Sequence, residues 1–220
     1  MQDLEPNGQR AQKAITLLWI VLGLEVVMLI SGYLQYSLLW AITGGDEVST
    51  ETLNENDLRE TIIAIIYFIA YIVSAVTFLL WFKRAYSNLH KKVTGLPYTA
   101  GWAVGSWFVP IINLYRPYII MKKLYCETKK LVNNETLSTR SLGWWWAFWL
   151  IGGFINNIGL RYSLKVETVE ELMASTTISM IGNIIGIPLA LITIKVVKDY
   201  SEVEPLLNIS SEEQPGGTAI

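Results

Sequence analysis

The sequence predicts an all-α integral membrane protein with four transmembrane helices, a proline-broken re-entrant or interfacial element and an amphipathic helix on the cytoplasmic side. Hydrophobic residues make up 52% of the chain and charged residues only 16%, against about 25% charged residues in a soluble domain. Four apolar stretches are long enough to cross a bilayer. A fifth apolar stretch is shorter and contains proline.

The four long stretches lie at 14–42, 61–82, 142–160 and 173–197. A helix needs about 20 apolar residues to cross roughly 30 Å of hydrocarbon, which each of them provides or nearly provides. We expect residues 1–198 to form a single membrane domain. Residues 199–220 are acidic and end in a Pro-Gly-Gly segment, which predicts a disordered tail.

The short fifth stretch belongs to a broken element at residues 101–132. Its apolar part, 102–115, has about 14 residues, a length typical of re-entrant or interfacial segments. Pro110 removes a backbone donor in the middle of that part, and Pro117 suits the first turn of a new helix. That helix has an apolar face beside several lysines, so it either lies in the membrane interface or packs on the bundle as a cytosolic helix.

The distribution of basic residues predicts the orientation. With four spans and both termini in the cytoplasm, only Arg59, Arg161 and Lys165 of the 17 basic residues fall outside. Cytoplasmic loops carry the excess of Lys and Arg in membrane proteins. A fifth crossing at 102–115 would instead put a lysine-rich segment outside, so the charge pattern argues against it.

Glu25 lies inside the first span, where a carboxylate is costly and marks function by default. Counting about 1.5 Å of rise per residue from the helix ends places several other polar residues near the same depth. The predicted intramembrane polar layer consists of Glu25, Tyr71, Ser74, Asn156, Asn157 and Asn183. Two interpretations remain open: a protonated Glu25 that hydrogen-bonds to an Asn of a neighbouring helix, and a proton- or cation-linked role.

Basic and amide side chains surround the broken element on its cytoplasmic side. They are either the ordinary positive-inside signal or ligands for anionic lipid head groups. Each Lys or Arg near an anionic surface contributes about 1 kcal/mol to the binding free energy. The candidate lipid or anion contacts are Arg84, Asn88, Asn113, Arg116, Lys122 and Lys123.

Small and aromatic residues form the structural motifs. Gly182 and Gly186 have the small-xxx-small spacing that allows two helices to approach closely. The motif residues that we single out are Trp102, Trp107, Pro110, Pro117, Gly182 and Gly186.

One run of residues resembles a known family. It comprises Trp81, Arg84-Ala85, Asn88-Leu89, Trp102-Ala103-Val104-Gly105, Trp107-Phe108-Val109-Pro110, Asn113-Leu114, Pro117, Met121 and Leu124. This run, at about residues 81–149, resembles the bacterial membrane-protein family called domain of unknown function 4328, although Tyr125 stands where we expect Trp. The resemblance implies a bacterial inner (plasma) membrane protein and a shared core, and it implies no reaction.

Several functional classes lack support in the sequence. A single cysteine excludes an internal disulfide, and a single histidine has no second ligand of its kind. Phosphate loops, nucleophile elbows and zinc signatures are missing from the sequence. We therefore expect no enzyme, no cofactor, no metal and no nucleic-acid partner. The sequence favours a non-enzymatic scaffold or regulator that engages lipid, a protein partner or a homo-oligomer; the alternative is a small transporter or channel subunit.

Overall fold

The computed structural model describes residues 3–133 and 137–209, and within these ranges it contains helices and no strand. The helices are α1 (Gly8–Thr43), α2 (Thr50–Lys92), α3 (Trp102–Gly105), α4 (Arg116–Leu131), α5 (Arg140–Ser163), α6 (Val169–Val203) and α7 (Leu206–Ile209). A short 3₁₀ turn, Ile112–Leu114, precedes α4. The predicted all-α class is confirmed.

Three of the described helices are long and apolar enough to cross a membrane: α1, α2 and the helical stretch that begins with α6. They indicate a membrane-embedded protein. The predicted third span lies in α5, which has 24 residues but is not among the three. Its run of Trp, Gly and Asn lowers the hydropathy, so the fourth span stays a prediction.

Local chemistry fixes several helix ends. Ser49 caps α2 by accepting a hydrogen bond from the Thr52 N–H at 3.1 Å. This helix therefore begins before the predicted span at 61–82 and includes the acidic residues Glu51, Glu55, Asp57 and Glu60. Gly95 adopts a φ of +76° just after α2, a conformation that glycine adopts at no steric cost. Before α6, Thr168 and Glu171 exchange side-chain-to-backbone hydrogen bonds at 3.2 Å, which form a capping box.

Two predicted boundaries differ from the structure. α6 continues to Val203 and α7 follows it, so the first part of the predicted disordered tail at 199–220 is helical. Tyr200 and Leu207 are 0% and 1% exposed, and this burial holds the segment in place. Residues 210–220 lie outside the described part of the chain.

The broken element consists of short pieces around Pro110. α3 has only four residues, and Ile111 adopts a φ of +66°, which is an outlier for a β-branched residue. α4 then begins with Pro117 in its first turn, as predicted. The insertion of residues 101–132 into a membrane stays a prediction.

The described residues form two compact units. The first unit contains residues 3–16, 74–133, 137–146 and 192–209, and the second contains residues 17–73 and 147–191. The four long helices contribute segments to both units.

The core of the first unit is aromatic. Trp81, Tyr86, Tyr125, Trp145 and Tyr200 are each at most 2% exposed. The apolar face of α4 belongs to this core, and the Tyr125 hydroxyl donates to the Val196 carbonyl at 2.5 Å. The geometry therefore favours the packed alternative for α4 over a helix whose apolar face lies in lipid.

Candidate functional site

The second unit contains a polar cavity of about 270 Å³ beside Glu25. Its wall includes four of the residues predicted for the polar layer, namely Glu25, Tyr71, Asn156 and Asn183. The rest of the wall is Met28, Tyr67, Trp149, Gly152, Gly153, Ser179, Gly182, Gly186 and Leu189. The wall residues come from α1, α2, α5 and α6.

Glu25 is 5% exposed. Its Oε1 accepts a hydrogen bond from the Tyr67 hydroxyl at 2.7 Å. Its Oε2 has no hydrogen-bond partner among the described residues. The prediction that an Asn donates a hydrogen bond to Glu25 is therefore wrong, because the donor is the Tyr67 hydroxyl.

Glycine makes room for two of the polar side chains of the cavity, those of Glu25 and Asn156. A Cβ at Gly186 would overlap the Glu25 carboxylate, and a Cβ at Gly182 would come within 2.7 Å of Asn156 Oδ1. The predicted small-xxx-small motif thus accommodates polar groups as well as close backbone approach.

Two residues of the predicted layer lie elsewhere. Asn157 is exposed and does not line the cavity. Ser74 is 4% exposed and belongs to the first unit. Counting residues along a helix predicts the depth of a side chain in the membrane. It does not predict the face of the helix on which the side chain lies, and this is why Asn157 and Ser74 were wrongly included.

Sequence reasoning missed Tyr67, the direct partner of Glu25. Tyr67 precedes Tyr71 by one helical turn, and their rings stack with centroids 6.0 Å apart. Residues four apart share a helix face, so the choice of Tyr71 contained the signal for Tyr67. Trp149 also lines the cavity.

In the first unit, two predicted lipid contacts have internal partners. Asn88 is 1% exposed and donates to Glu204 Oε1 at 2.7 Å and to the Glu5 carbonyl at 2.9 Å. Arg84 forms an ion pair with Glu5. Asn88 therefore cannot contact lipid in this fold, because its amide is buried in a polar network.

Arg116 lies among aromatic rings at the start of α4. Its guanidinium carbon is 4.9 Å from the ring centroid of Tyr98, 5.0 Å from that of Trp102 and 5.8 Å from that of Tyr115. Distances of this size are typical of cation–π contacts. The Arg116 Nε has no hydrogen-bond partner within the described chain.

Lysines line a groove along α4. The groove, of about 420 Å³, includes Lys122, Lys123, Lys130 and Glu127 in its wall. Lys123 and Lys130 pair with Glu127 at 2.9 and 3.1 Å, and the bond from Lys123 is the main cause that lowers the pKa of the Glu127 carboxyl. Lys122 lies 6.0 Å from the Tyr118 ring centroid and is exposed.

The remaining motif residues hold the broken element together. Trp107 packs against Phe78, Trp145 and Trp146 with centroids 5.9 to 6.2 Å apart. The Trp146 indole N–H donates to the Leu114 carbonyl at 3.1 Å. Asn113 is half-buried, and its Oδ1 has no partner among the described residues.

The described residues contain no group of three or more His, Cys, Asp or Glu side chains that could hold a metal ion. The single carboxylate of the cavity and its amide and hydroxyl neighbours do not form such a set.

Comparisons with known proteins identify a family and nothing more specific. Searches among curated proteins and among solved structures return no match. A family model, described as a domain of unknown function (DUF4328), matches residues 45–202. This range extends the resemblance seen at 81–149 to most of the chain, including Tyr67, Asn156, Asn183 and the whole broken element, whereas Glu25 lies before it. The chain belongs to the family called domain of unknown function 4328.

Proposed function

We propose that this chain is a four-span bacterial inner-membrane protein that acts without catalysis, as a scaffold or regulator that engages the lipid surface through its broken element. The observation that carries this proposal is the apolar tip, which we define as residues 108–115. Phe108, Ile111 and Leu114 in this tip are 72%, 76% and 55% exposed. An exposed apolar patch is typical of a membrane or protein interaction site.

The backbone of the tip suits a lipid environment. The N–H groups of Phe108, Ile112, Asn113, Leu114 and Tyr115 all donate to carbonyls within residues 105–112, and Pro110 has no N–H. Lipid gives no hydrogen bonds to backbone groups, so these five internal bonds lower the cost of entering it.

The charge beside the tip fits anionic head groups. Arg116 is the first residue of α4, where its charge adds to the positive end of the helix dipole. Lys122 lies further along the same helix with its side chain exposed. Both features favour an anionic group next to the tip, as a phosphate-bearing lipid would supply. The same exposed tip could also contact a protein partner or a second copy.

The depth of the tip is a testable prediction. A nitroxide attached to Phe108→Cys, in a Cys126→Ser background, should collide more with oxygen than with a water-soluble nickel complex when the protein is in anionic nanodiscs. The same label at Lys130→Cys, an exposed position in the same unit, is the matched control and should show the opposite preference. Equal nickel accessibility at both positions would rule out insertion of the tip.

The topology gives a second prediction. With residues 83–141 in the cytoplasm, Ser138→Cys in the Cys126→Ser background should resist an impermeant maleimide added to intact cells. Lys165→Cys, in the loop between α5 and α6, should label readily. Labelling of Ser138→Cys from outside would contradict the proposed orientation and favour a fifth crossing.

The second candidate function is transport, and the cavity at Glu25 favours it. An ionisable residue within a group of apolar helices is typical of substrate and ion pathways. An ion flux into proteoliposomes that disappears in Glu25→Gln would favour this candidate over a scaffold.

A further inference from the structure

The carboxylate of Glu25 lacks compensation for its charge within the cavity wall. Oε1 accepts one hydrogen bond from Tyr67, and Oε2 accepts none from the described residues. Among the described residues, the wall contains no Lys, Arg or His. A buried carboxyl without a positive partner is either held protonated or completed by a cation from outside the fold. The rest of the wall favours the cation.

Aromatic rings form part of the same wall. Tyr67 and Tyr71 stack 6.0 Å apart, and Trp149 also lines the cavity. The faces of aromatic rings attract organic ammonium groups, and this contact strengthens when both partners are removed from water. A carboxylate beside three aromatic residues therefore has the chemistry of an ammonium site.

Amide oxygens add acceptors to the wall. Asn183 is 8% exposed and lines the cavity together with Asn156. Asn156 Oδ1 lies over Gly182, close enough that a Cβ there would come within 2.7 Å of it. An amide oxygen accepts hydrogen bonds from N–H donors, so these two residues suit the N–H groups of a primary ammonium. A quaternary ammonium has no N–H and would depend on the carboxylate and the aromatic rings alone.

The cavity is larger than a bare ion requires. Its volume is about 270 Å³, whereas a water molecule takes up about 30 Å³ in the liquid. Four glycines in the wall keep this space free of side chains: Gly152, Gly153, Gly182 and Gly186. With one carboxylate, the site also neutralises one positive charge and no more.

We propose that this cavity is a binding site for a small organic monocation, a primary or quaternary ammonium whose charge faces Glu25 and whose carbon groups contact the aromatic wall. The cavity opens on the surface of the helices, because Tyr71 in its wall is 49% exposed and Asn156 is exposed as well. This site lies in the second unit and is independent of the lipid contacts proposed for the tip.

The test is equilibrium dialysis of radiolabelled tetramethylammonium against the full-length protein in nanodiscs. Saturable binding with one site per chain is expected. Glu25→Gln, which keeps the shape and removes the charge, should weaken binding about tenfold or more. Glu55→Gln, at an exposed position of α2 outside the cavity, removes the same charge and should leave the affinity unchanged.

A second pair of variants covers the case in which Glu25→Gln folds poorly. Tyr71→Phe keeps the ring and should retain affinity, whereas Tyr71→Leu should lose about fivefold because it removes the cation–π contact. The proposal fails if tetramethylammonium shows no saturable binding, if Glu25→Gln binds as tightly as the native protein, or if neutral tert-butanol competes equally. Displacement of the probe by an equimolar amount of sodium would instead identify an inorganic cation site and overturn the assignment to an organic one.

Discussion

Gly186→Val is expected to lower the free energy of unfolding by about 1–3 kcal/mol, the usual cost of overpacking. A Cβ at Gly186 would already overlap the carboxylate of Glu25, and valine adds two more methyl groups. Either α6 moves away from α1 within the second unit, or the Glu25 side chain turns away and loses its hydrogen bond from Tyr67. Both outcomes should lower the midpoint of thermal unfolding in detergent, followed by tryptophan fluorescence.

A matched control separates this steric effect from the general cost of placing valine in a helix. Gly153 lines the same cavity, but a Cβ there meets nothing within 4 Å, so Gly153→Val should destabilise the protein much less.

A double-mutant cycle tests the Gly186–Glu25 contact directly. In a Glu25→Ala background the overlap disappears, and Gly186→Val should become milder by about 0.5–3 kcal/mol, the range of coupling between contacting residues. Additive costs would show that the two positions do not oppose each other.

The cavity shows what the rise per residue along a helix can predict and what it cannot. Glu25, Asn156 and Asn183 were placed at one depth from the rise per residue, and all three line one cavity. Depth alone cannot separate Asn156 from Asn157, because consecutive residues point about 100° apart around a helix. Only packing against neighbouring helices determines that Asn156 lines the cavity and Asn157 does not.

Local signals predicted local structure well. Pro117 was predicted in the first turn of a helix and lies there in α4. Like the glycine after α2 and the capping box before α6, it depends only on residues within a few positions of each other. The Asn7–Glu204 contact joins residues that are 197 positions apart. No periodicity or spacing in the sequence marks such a pair, so the polar network of the first unit was not predicted.

A second polar group in the second unit also escaped prediction. Ser31 donates to Glu60 Oε1 at 2.5 Å and accepts from Arg59 Nε at 3.0 Å, and Arg59 also donates to Asn56 at 2.7 Å. Arg59 was counted only as an outside charge. The positive-inside rule concerns the side of the membrane on which a basic residue lies. It gives no information about the hydrogen-bond partners of that residue, so the contacts of Arg59 were not predicted.

The polar network of the first unit gives the second large expected effect. Glu204 is 5% exposed and accepts hydrogen bonds from Asn88 at 2.7 Å and from Asn7 at 2.9 Å. Asn7 immediately precedes α1, Asn88 lies in α2, and Glu204 immediately follows α6. One carboxylate therefore connects the ends of three long helices within this unit.

Glu204→Leu should lower the free energy of unfolding by about 2–4 kcal/mol, since charge-assisted hydrogen bonds are lost and two buried amide groups each lose an acceptor. At roughly 2–4 °C per kcal/mol for a chain of this size, the midpoint of thermal unfolding should fall clearly. Glu202→Leu is the control, because Glu202 is exposed two residues earlier. The stability of Glu204→Gln should lie between those of Glu204→Leu and Glu202→Leu, because glutamine keeps one acceptor oxygen.

In an Asn88→Leu background, Glu204→Leu should lower the free energy of unfolding by less, because one of the two donors is already gone. An equal cost in both backgrounds would show that the stability does not come from the Asn88–Glu204 hydrogen bond.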